Sequence, residues 1–177
     1  MKKIVPVGKI VDEKDDFELC EGIDSSISAG YGDKVMLPEA PIEMQVVALT
    51  RYVGGIWENG GFEYLLEKDF PEDDAYERIA DAFRRIGCDE AAAAIEKVVA
   101  LFPGNRVPHD NKKREAIFMS IPEGLREGLN DDFGRGTSGR CARLAAYIRS
   151  HRGVFIHLPP ATIICSDEDP PKEVAGD

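Results

Sequence analysis

The sequence lacks the signals that identify metal sites, disulfide scaffolds and membrane spans. Its four cysteines include no Cys-x-x-Cys pair, and its three histidines have no paired ligand spacing. No apolar run approaches the length of a membrane span, and Pro6 and Gly8 interrupt the apolar start, which argues against a signal peptide. We therefore expect reduced thiols, no bound metal or cofactor, no membrane partner and a cytoplasmic location.

The charge balance excludes a further class of function. The chain has 177 residues, with 33 acidic against 22 basic side chains and a formal net charge of −11. Such a charge opposes direct binding to nucleic acid or to an anionic membrane, and it favours a basic protein as the partner. The length is sufficient for one domain with a substantial core.

The composition changes along the chain and predicts three segments. Residues 1–40 combine short β-branched pieces with a Ser- and Gly-rich stretch from Asp24 to Asp33, which predicts a strand or two, or an extended arm, followed by a loop. Residues 41–158 have helical periodicity, and residues 159–177 form an acidic tail that we expect to be flexible. The predicted fold is mainly α, a single-domain and bundle-like arrangement with a short irregular or β-containing N-terminal arm.

The centre of the helical segment contains a break. A helical pattern that starts near Pro41 is interrupted by an Asn-Gly-Gly sequence between two large aromatic residues. Glycine and asparagine tolerate the left-handed backbone that closes a helix, while the aromatic residues favour burial and would hold the bend from inside. The residues of this structural motif are Trp57, Asn59, Gly60, Gly61 and Phe62.

Five further helices are predicted after the break. One runs from about Pro71 to Ile86 with Gly87 at its end, and the next follows at Asp89 as its cap and ends before Pro103-Gly104. Asp110 and Pro122 mark later helix starts, and the second of these helices reaches about Phe133. Ser138 is the expected cap of a last helix before Gly153, followed by a strand or irregular chain over residues 154–158.

Several of these motifs together resemble a widespread bacterial helical family, long a domain of unknown function. The likeness covers roughly residues 41–156 and depends most on Asn59-Gly60-Gly61-Phe62, on the helix end Ala82 to Gly87, and on Ala91 to Phe102 before a proline. The resemblance implies an all-helical fold, dimerisation and no established catalytic residue. One member is described as a DNA-mimic protein, which implies for that member an acidic surface occupying the DNA-binding face of a transcriptional regulator.

A DNA mimic needs carboxylates without neutralising partners, repeated along a surface. Acids four residues apart on a helix are about 6 Å apart along its axis, and between Glu58 and Glu96 there are twelve acids against four bases. Helix-dipole effects and the pairs Asp74 with Arg78 and Asp81 with Arg85 also account for part of this pattern. The residues predicted to bind a partner are Glu63, Glu67, Asp73, Asp74, Glu77 and Asp81.

Three alternatives remain open at this level. Ten bases against six acids between Arg106 and Arg152 allow self-association, as in a structural dimer module of unknown role, or an acidic partner, or they simply balance the acidic segment. The loop from Gly134 to Arg140 has the components of an anion or phosphate site for a small ligand-binding protein or enzyme. Aromatic residues around the break could line a ligand pocket or belong to the core. The residues of the anion-site alternative are Arg135, Ser138 and Arg140, and those of the aromatic alternative are Tyr52, Trp57, Phe62 and Tyr64.

Overall fold

The computed structural model describes residues 2–36, 39–70 and 75–164, and the fold within these ranges is mainly α-helical, as predicted. Two short strands form the sheet, and the helices enclose one core. The strands are β1 Lys2–Val5 and β2 Ala161–Ile164. The helices are α1 Val7–Ile10, α2 Asp16–Tyr31, α3 Ile42–Leu66, α4 Ala75–Arg85, α5 Asp89–Val99, α6 Asn111–Met119, α7 Glu123–Gly136, α8 Arg140–Ser150 and α9 Arg152–Phe155.

The N-terminal segment is more ordered than the sequence indicated. The predicted loop from Asp24 to Asp33 is wrong, because most of it belongs to α2 and the rest to a 3₁₀ turn, Gly32–Met36. Leu19, Ile23 and Ile27 lie at four-residue steps and are fully buried. Their burial against the rest of the core stabilises a helix whose serines and glycines have weak intrinsic helix propensity.

The two ends of the described chain meet in an antiparallel pair. β1 pairs with β2, with Lys2 opposite Ile164 and Val5 opposite Ala161. The β-containing arm is therefore present, and residues 161–164, which we placed in the tail, form a strand. Residues 165–177 lie outside the described ranges.

Helices α4 and α5 form the predicted hairpin. Gly87 adopts a φ of 77°, and the amide of Cys88 donates to the carbonyl of Phe83 at 2.9 Å, which closes α4 in the way a left-handed glycine allows. The predicted cap at Asp89 is wrong: α5 begins with Asp89 inside its first turn, and Cys88 precedes it without a side-chain cap. The carboxylate of Asp89 still lies near the positive end of the helix dipole.

The later helices confirm one cap and correct two expectations. Asp110 caps α6 by accepting from the amides of Lys112 and Lys113 at 2.9 and 3.2 Å. Ser138 does not cap α8, because Gly139 takes the cap position with a φ of 71° and makes no side-chain bond. The strand considered over residues 154–158 is also wrong: α9 extends to Phe155, whose ring is buried in the core.

Arg114 of α6 is the main buried charge of the fold. Its guanidinium donates to the carbonyl of Leu66 at 2.6 Å and of Lys68 at 3.1 Å, where α3 ends, and to those of Pro108 and His109 at 2.9 and 2.6 Å. It also pairs with Asp69 at 2.9 Å. A fork of five donors can satisfy several carbonyls at once, so this one side chain joins the end of α3 to the start of α6.

We predict that Arg114→Ala lowers the free energy of unfolding by about 3–5 kcal/mol, because four carbonyls and Asp69 lose their donors together. Urea denaturation followed by circular dichroism measures the change. Lys113→Ala, at the exposed neighbouring position, is the control and should stay within about 0.5 kcal/mol of the wild type. A loss below about 1 kcal/mol for Arg114→Ala would show that water replaces the guanidinium at little cost.

Candidate functional site

The break in α3 is held by one side chain from α7. Gly60 and Gly61 have non-helical backbone angles, and Gly61 has a φ of 66° that favours glycine. The Oδ1 atom of Asn130 accepts a hydrogen bond from the amide of Phe62 at 2.9 Å and another from the indole of Trp57 at 3.0 Å. Asn130 therefore binds both sides of the break, and it satisfies an amide that the second half of α3 would otherwise leave without an acceptor.

The glycine at position 61 also serves this contact sterically. A Cβ atom built on Gly61 would lie 2.6 Å from Oδ1 of Asn130, closer than real Cβ contacts. Asn59, by contrast, stays helical and donates from Nδ2 to the carbonyl of Gly55 at 2.6 Å. The prediction that the block forms a pinned helix junction is confirmed, with Gly61 rather than Asn59 supplying the left-handed backbone.

The aromatic residues around the break divide into two groups. The ring of Phe133 on α7 lies 5.0 Å from that of Trp57, 5.4 Å from Phe62 and 5.2 Å from Phe83, measured between centroids. These four side chains belong to the core or pack against it. Tyr52 and Tyr64 are 44% and 37% exposed and line a groove on the opposite side of α3. Of the four aromatic residues considered for a pocket, Trp57 and Phe62 therefore pack with the core, and Tyr52 and Tyr64 line the groove.

The predicted partner-binding acids differ in how far they are neutralised. Glu63 forms an ion pair with Arg126, and Asp81 pairs with Arg85 at 2.6 Å as the four-residue spacing predicts. Glu67 and Glu77 are exposed and make no ion pair with any residue in the described ranges. Asp73 and Asp74 lie outside those ranges. The structure thus leaves two of the four described acids free to attract a cationic partner.

Most of the arginines in the basic segment form ion pairs or hydrogen bonds within the protein. Three of its arginines pair with acids of the acidic segment: Arg140 with Glu58, Arg126 with Glu63 and Arg114 with Asp69. The ten bases from Arg106 to Arg152 therefore do not form one free basic face. The seven that bind carboxylates or backbone carbonyls are Arg114, Arg126, Arg135, Arg140, Arg143, Arg149 and Arg152.

A row of carboxylates on α7 was missed by the sequence reasoning. Glu123, Glu127 and Asp131 recur at four-residue steps on one exposed side of this helix. None of the three makes an ion pair with another described residue, because Arg126 turns to Glu63 and Arg135 to Asp132. The four-residue spacing is present in the sequence. The nearby arginines made these acids look neutralised, because the sequence does not show which carboxylates the arginines bind in the fold. We call these three residues the α7 acidic row.

In the loop from Gly134 to Arg140, the two arginines that we considered for an anion site are paired with carboxylates. Residues 134–136 complete α7, so only a short turn separates α7 from α8. Arg135 pairs with Asp132, while Arg140 pairs with Glu58 at 2.8 Å, and Ser138 is exposed. The two guanidiniums thus bind different carboxylates on different helices.

Burial displaces the pKa values of two side chains on α2. Burial raises the pKa of Asp24 to about 6, and burial together with the neighbouring Cys141 raises that of the Cys20 thiol to about 12. A hydrogen bond from Lys97 lowers the pKa of Asp132. Within the described ranges, no three His, Cys, Asp or Glu side chains gather as a metal site would require, and no helix is both long and apolar enough to cross a bilayer.

The comparison with protein families agrees with this architecture. The model of the family DMP19-like protein matches residues 39–151, which contain the broken helix, the α4–α5 hairpin and α7. The chain belongs to this family of DNA-mimic-like helical proteins. No curated protein and no solved structure matches the chain. The helix α2 lies outside the matched residues.

We predict that Asn130→Ala lowers the free energy of unfolding by about 2–4 kcal/mol, because the amide of Phe62 and the indole of Trp57 lose their common acceptor. Trp57 is the only tryptophan, so its fluorescence in the folded state should also shift to longer wavelength as water reaches the indole. Urea titration and emission spectra measure the two effects. Asn59→Ala, which removes an exposed bond within one helix, is the matched control and should change neither by a comparable amount.

Proposed function

We propose that the protein acts by binding rather than catalysis, and that its partner is a basic, DNA-binding protein whose DNA site it occupies. The carrying observation is the α7 acidic row: three exposed carboxylates about 6 Å apart along the helix axis, without ion pairs to described residues. Membership of the DMP19-like protein family supports the same function. The partner meets the protein in the cytoplasm, and the protein itself self-associates, as the family resemblance implies.

The proposed surface extends from α7 towards the second half of α3. The ion pair between Arg126 and Glu63 holds these two helices side by side, and Glu67 follows Glu63 by one helical turn. Glu67 adds a further carboxylate without an ion pair to a described residue. A cationic partner could also compete for Glu63, whose side chain is 48% exposed.

The remaining described acids that the sequence predicted to bind a partner lie outside this surface or are neutralised. Glu77 is exposed on α4, but Asp81 is neutralised by Arg85 on the same helix. Their helix packs against α3 and α5. We therefore place α7 with Glu63 and Glu67 at the centre of the proposed interface, with Glu77 and Asp81 as a second surface that the same experiment distinguishes. Asp73 and Asp74 lie outside the described ranges and stay predictions.

The experiment compares capture of DNA-binding proteins by the wild type and by charge-neutralised variants. The variant Glu123→Gln, Glu127→Gln, Asp131→Asn should lose at least about tenfold in affinity for the captured regulator, because charge complementarity is removed from the contact. Duplex DNA containing that regulator's site should compete with the wild type. Binding should also weaken as salt is raised from about 50 to about 200 mM, since screening reduces attraction between exposed charges. Native mass spectrometry measures the complex, and light scattering gives the oligomeric state.

Two controls separate the location of charge from its amount. Glu18→Gln, Glu39→Gln, Glu115→Gln removes the same number of exposed charges from other elements and should bind like the wild type. Glu77→Gln, Asp81→Asn tests the second surface. Equal binding by the α7 variant and the wild type would reject the α7 row, and a captured regulator that binds DNA and this protein simultaneously would reject DNA mimicry.

A further inference from the structure

A groove of about 1050 Å³ lies where the N-terminal helix meets the family domain. Its first wall is α2 with the 3₁₀ turn that follows, and its floor is α3. The second wall is the chain from Tyr64 to Phe70. The first wall precedes the residues that match the family model, so the matched region alone does not complete the groove. Clefts between structural units are common sites for ligands.

The floor of the groove permits close approach to the backbone. Ala48, Tyr52, Gly55 and Asn59 recur at three- and four-residue steps along one face of α3. A Cβ atom on Gly55 would meet no atom within 4 Å, so the space above this glycine is open. The exposed rings of Tyr52 and Tyr64 stand at the sides. An occupant could lie on the helix between aromatic surfaces.

Asp24 is the distinctive polar group of this groove. No described N–H or O–H group donates a hydrogen bond to its carboxylate, and its nearest cationic atom is Nε of Arg51 at 3.7 Å. Arg51 is itself engaged by Glu21 through a closer contact. The two acids thus share one guanidinium, which leaves Asp24 only partly compensated, and burial raises its pKa to about 6.

The neighbouring groups favour a cation over an anion. Asn59 uses one of its two Nδ2 hydrogens on the carbonyl of Gly55, and its Oδ1 accepts no hydrogen bond from a described residue, so this oxygen can accept one from a ligand. The ammonium of Lys68 lies 3.8 Å from the centre of the Tyr64 ring, so this cation already has a partner. A carboxylate, an amide oxygen and exposed aromatic rings are together the groups that bind guanidinium and amine groups.

We propose that the groove is a binding site for an organic cation, a guanidinium, amidinium or amine on an apolar or aromatic body. The charged group contacts Asp24, and the body packs over Gly55 between Tyr52 and Tyr64. The cation is either a free small molecule or an arginine or lysine side chain of a protein. This site does not depend on the α7 acidic row.

Benzamidine is the probe, because it combines an amidinium with a planar ring. Titrated into the full-length ¹⁵N-labelled protein at about pH 7.5, it should shift the amide resonances of residues 24, 52, 55 and 59 with a millimolar Kd. Benzamide, the neutral analogue, should bind at least about tenfold more weakly because it lacks the charge. No saturable shift in the groove at about 20 mM benzamidine, or equal binding of both compounds, would overturn the proposal.

Substitutions assign the binding to the groove. Asp24→Asn should weaken benzamidine binding by at least about tenfold, and Tyr52→Leu by several-fold, because each removes an attractive contact. Glu18→Gln, an exposed acid on the same helix, is the matched control and should leave binding unchanged. The variant of the α7 acidic row should also bind benzamidine normally, so either proposal can fail alone. Unaltered binding by a folded Asp24→Asn protein would contradict the site.

The pH dependence gives an independent signature. Affinity for benzamidine should rise by roughly tenfold from about pH 5 to about pH 7.5, because Asp24 must lose its proton to attract the cation. The charged groups around it are Arg51 on α3, Glu21 on α2, and Lys68 and Asp69 across the groove. The rise should vanish in Asp24→Asn, and a rise that persists there would assign the titration to another group and reject this role.

A peptide arm distinguishes the two sources of the cation. Acetyl-Gly-Arg-Gly-amide should bind at least as tightly as benzamidine if the groove accepts an arginine side chain of a protein. Binding of benzamidine without binding of the peptide supports a small-molecule ligand in the same groove. Both results support the cation site, whereas a failure of benzamidine to bind rejects it whatever the peptide does.

Discussion

The contact between Asn130 and the broken helix is the constraint on which the rest of the structure depends. Because the backbone leaves the helical conformation at Gly60 and Gly61, the amide of Phe62 has no acceptor within the helix, and Oδ1 of Asn130 satisfies that amide together with the indole of Trp57. The same contact fixes the position of α7 against α3. Phe133, one turn further along α7, can then pack against rings from both halves of α3 and from α4. A close approach of Gly136 to the backbone of Ala91 sets α5 beside α7.

This arrangement explains which parts of the fold the sequence could predict. The Gly pair and the apolar spacing of α4 and α5 are local signals, and each agreed with the structure. Asn130 had no such signal, because a polar residue in the middle of a helix resembles any solvent-facing position until its partner 68 residues away is known. The helix α2 was missed for a related reason: its serines and glycines predicted a loop, whereas the buried row Leu19, Ile23 and Ile27 was the pattern that identifies it.

The distribution of charge over the protein surface was the property that the sequence predicted least well. The acidic middle and the basic second half appeared as opposite patches, but the fold joins them through long-range ion pairs such as Arg140 with Glu58. Which part of the surface remains negative therefore depends on which acids the arginines pair with. Arg126 follows Glu123 by three residues and Arg135 follows Asp131 by four, so in an isolated helix these two arginines would neutralise the two acids. In the protein they contact Glu63 and Asp132 instead, which leaves the α7 acidic row without partners among the described residues.

The N-terminal helix α2 packs against the family domain and forms one wall of the groove. It is held to that domain by buried apolar side chains and by the ion pairs of Asp16 with Arg149 and of Glu21 with Arg51. Arg51 contacts Glu21 more closely than it contacts Asp24. The negative charge of Asp24, on the side of α2 that faces the groove, is therefore only partly compensated. The burial that attaches α2 therefore also places a carboxyl of raised pKa next to exposed tyrosines. A relative that retained the matched domain without α2 would keep the α7 surface and lose the wall of the groove, so a binding activity at the groove can change in evolution while the acidic surface stays the same.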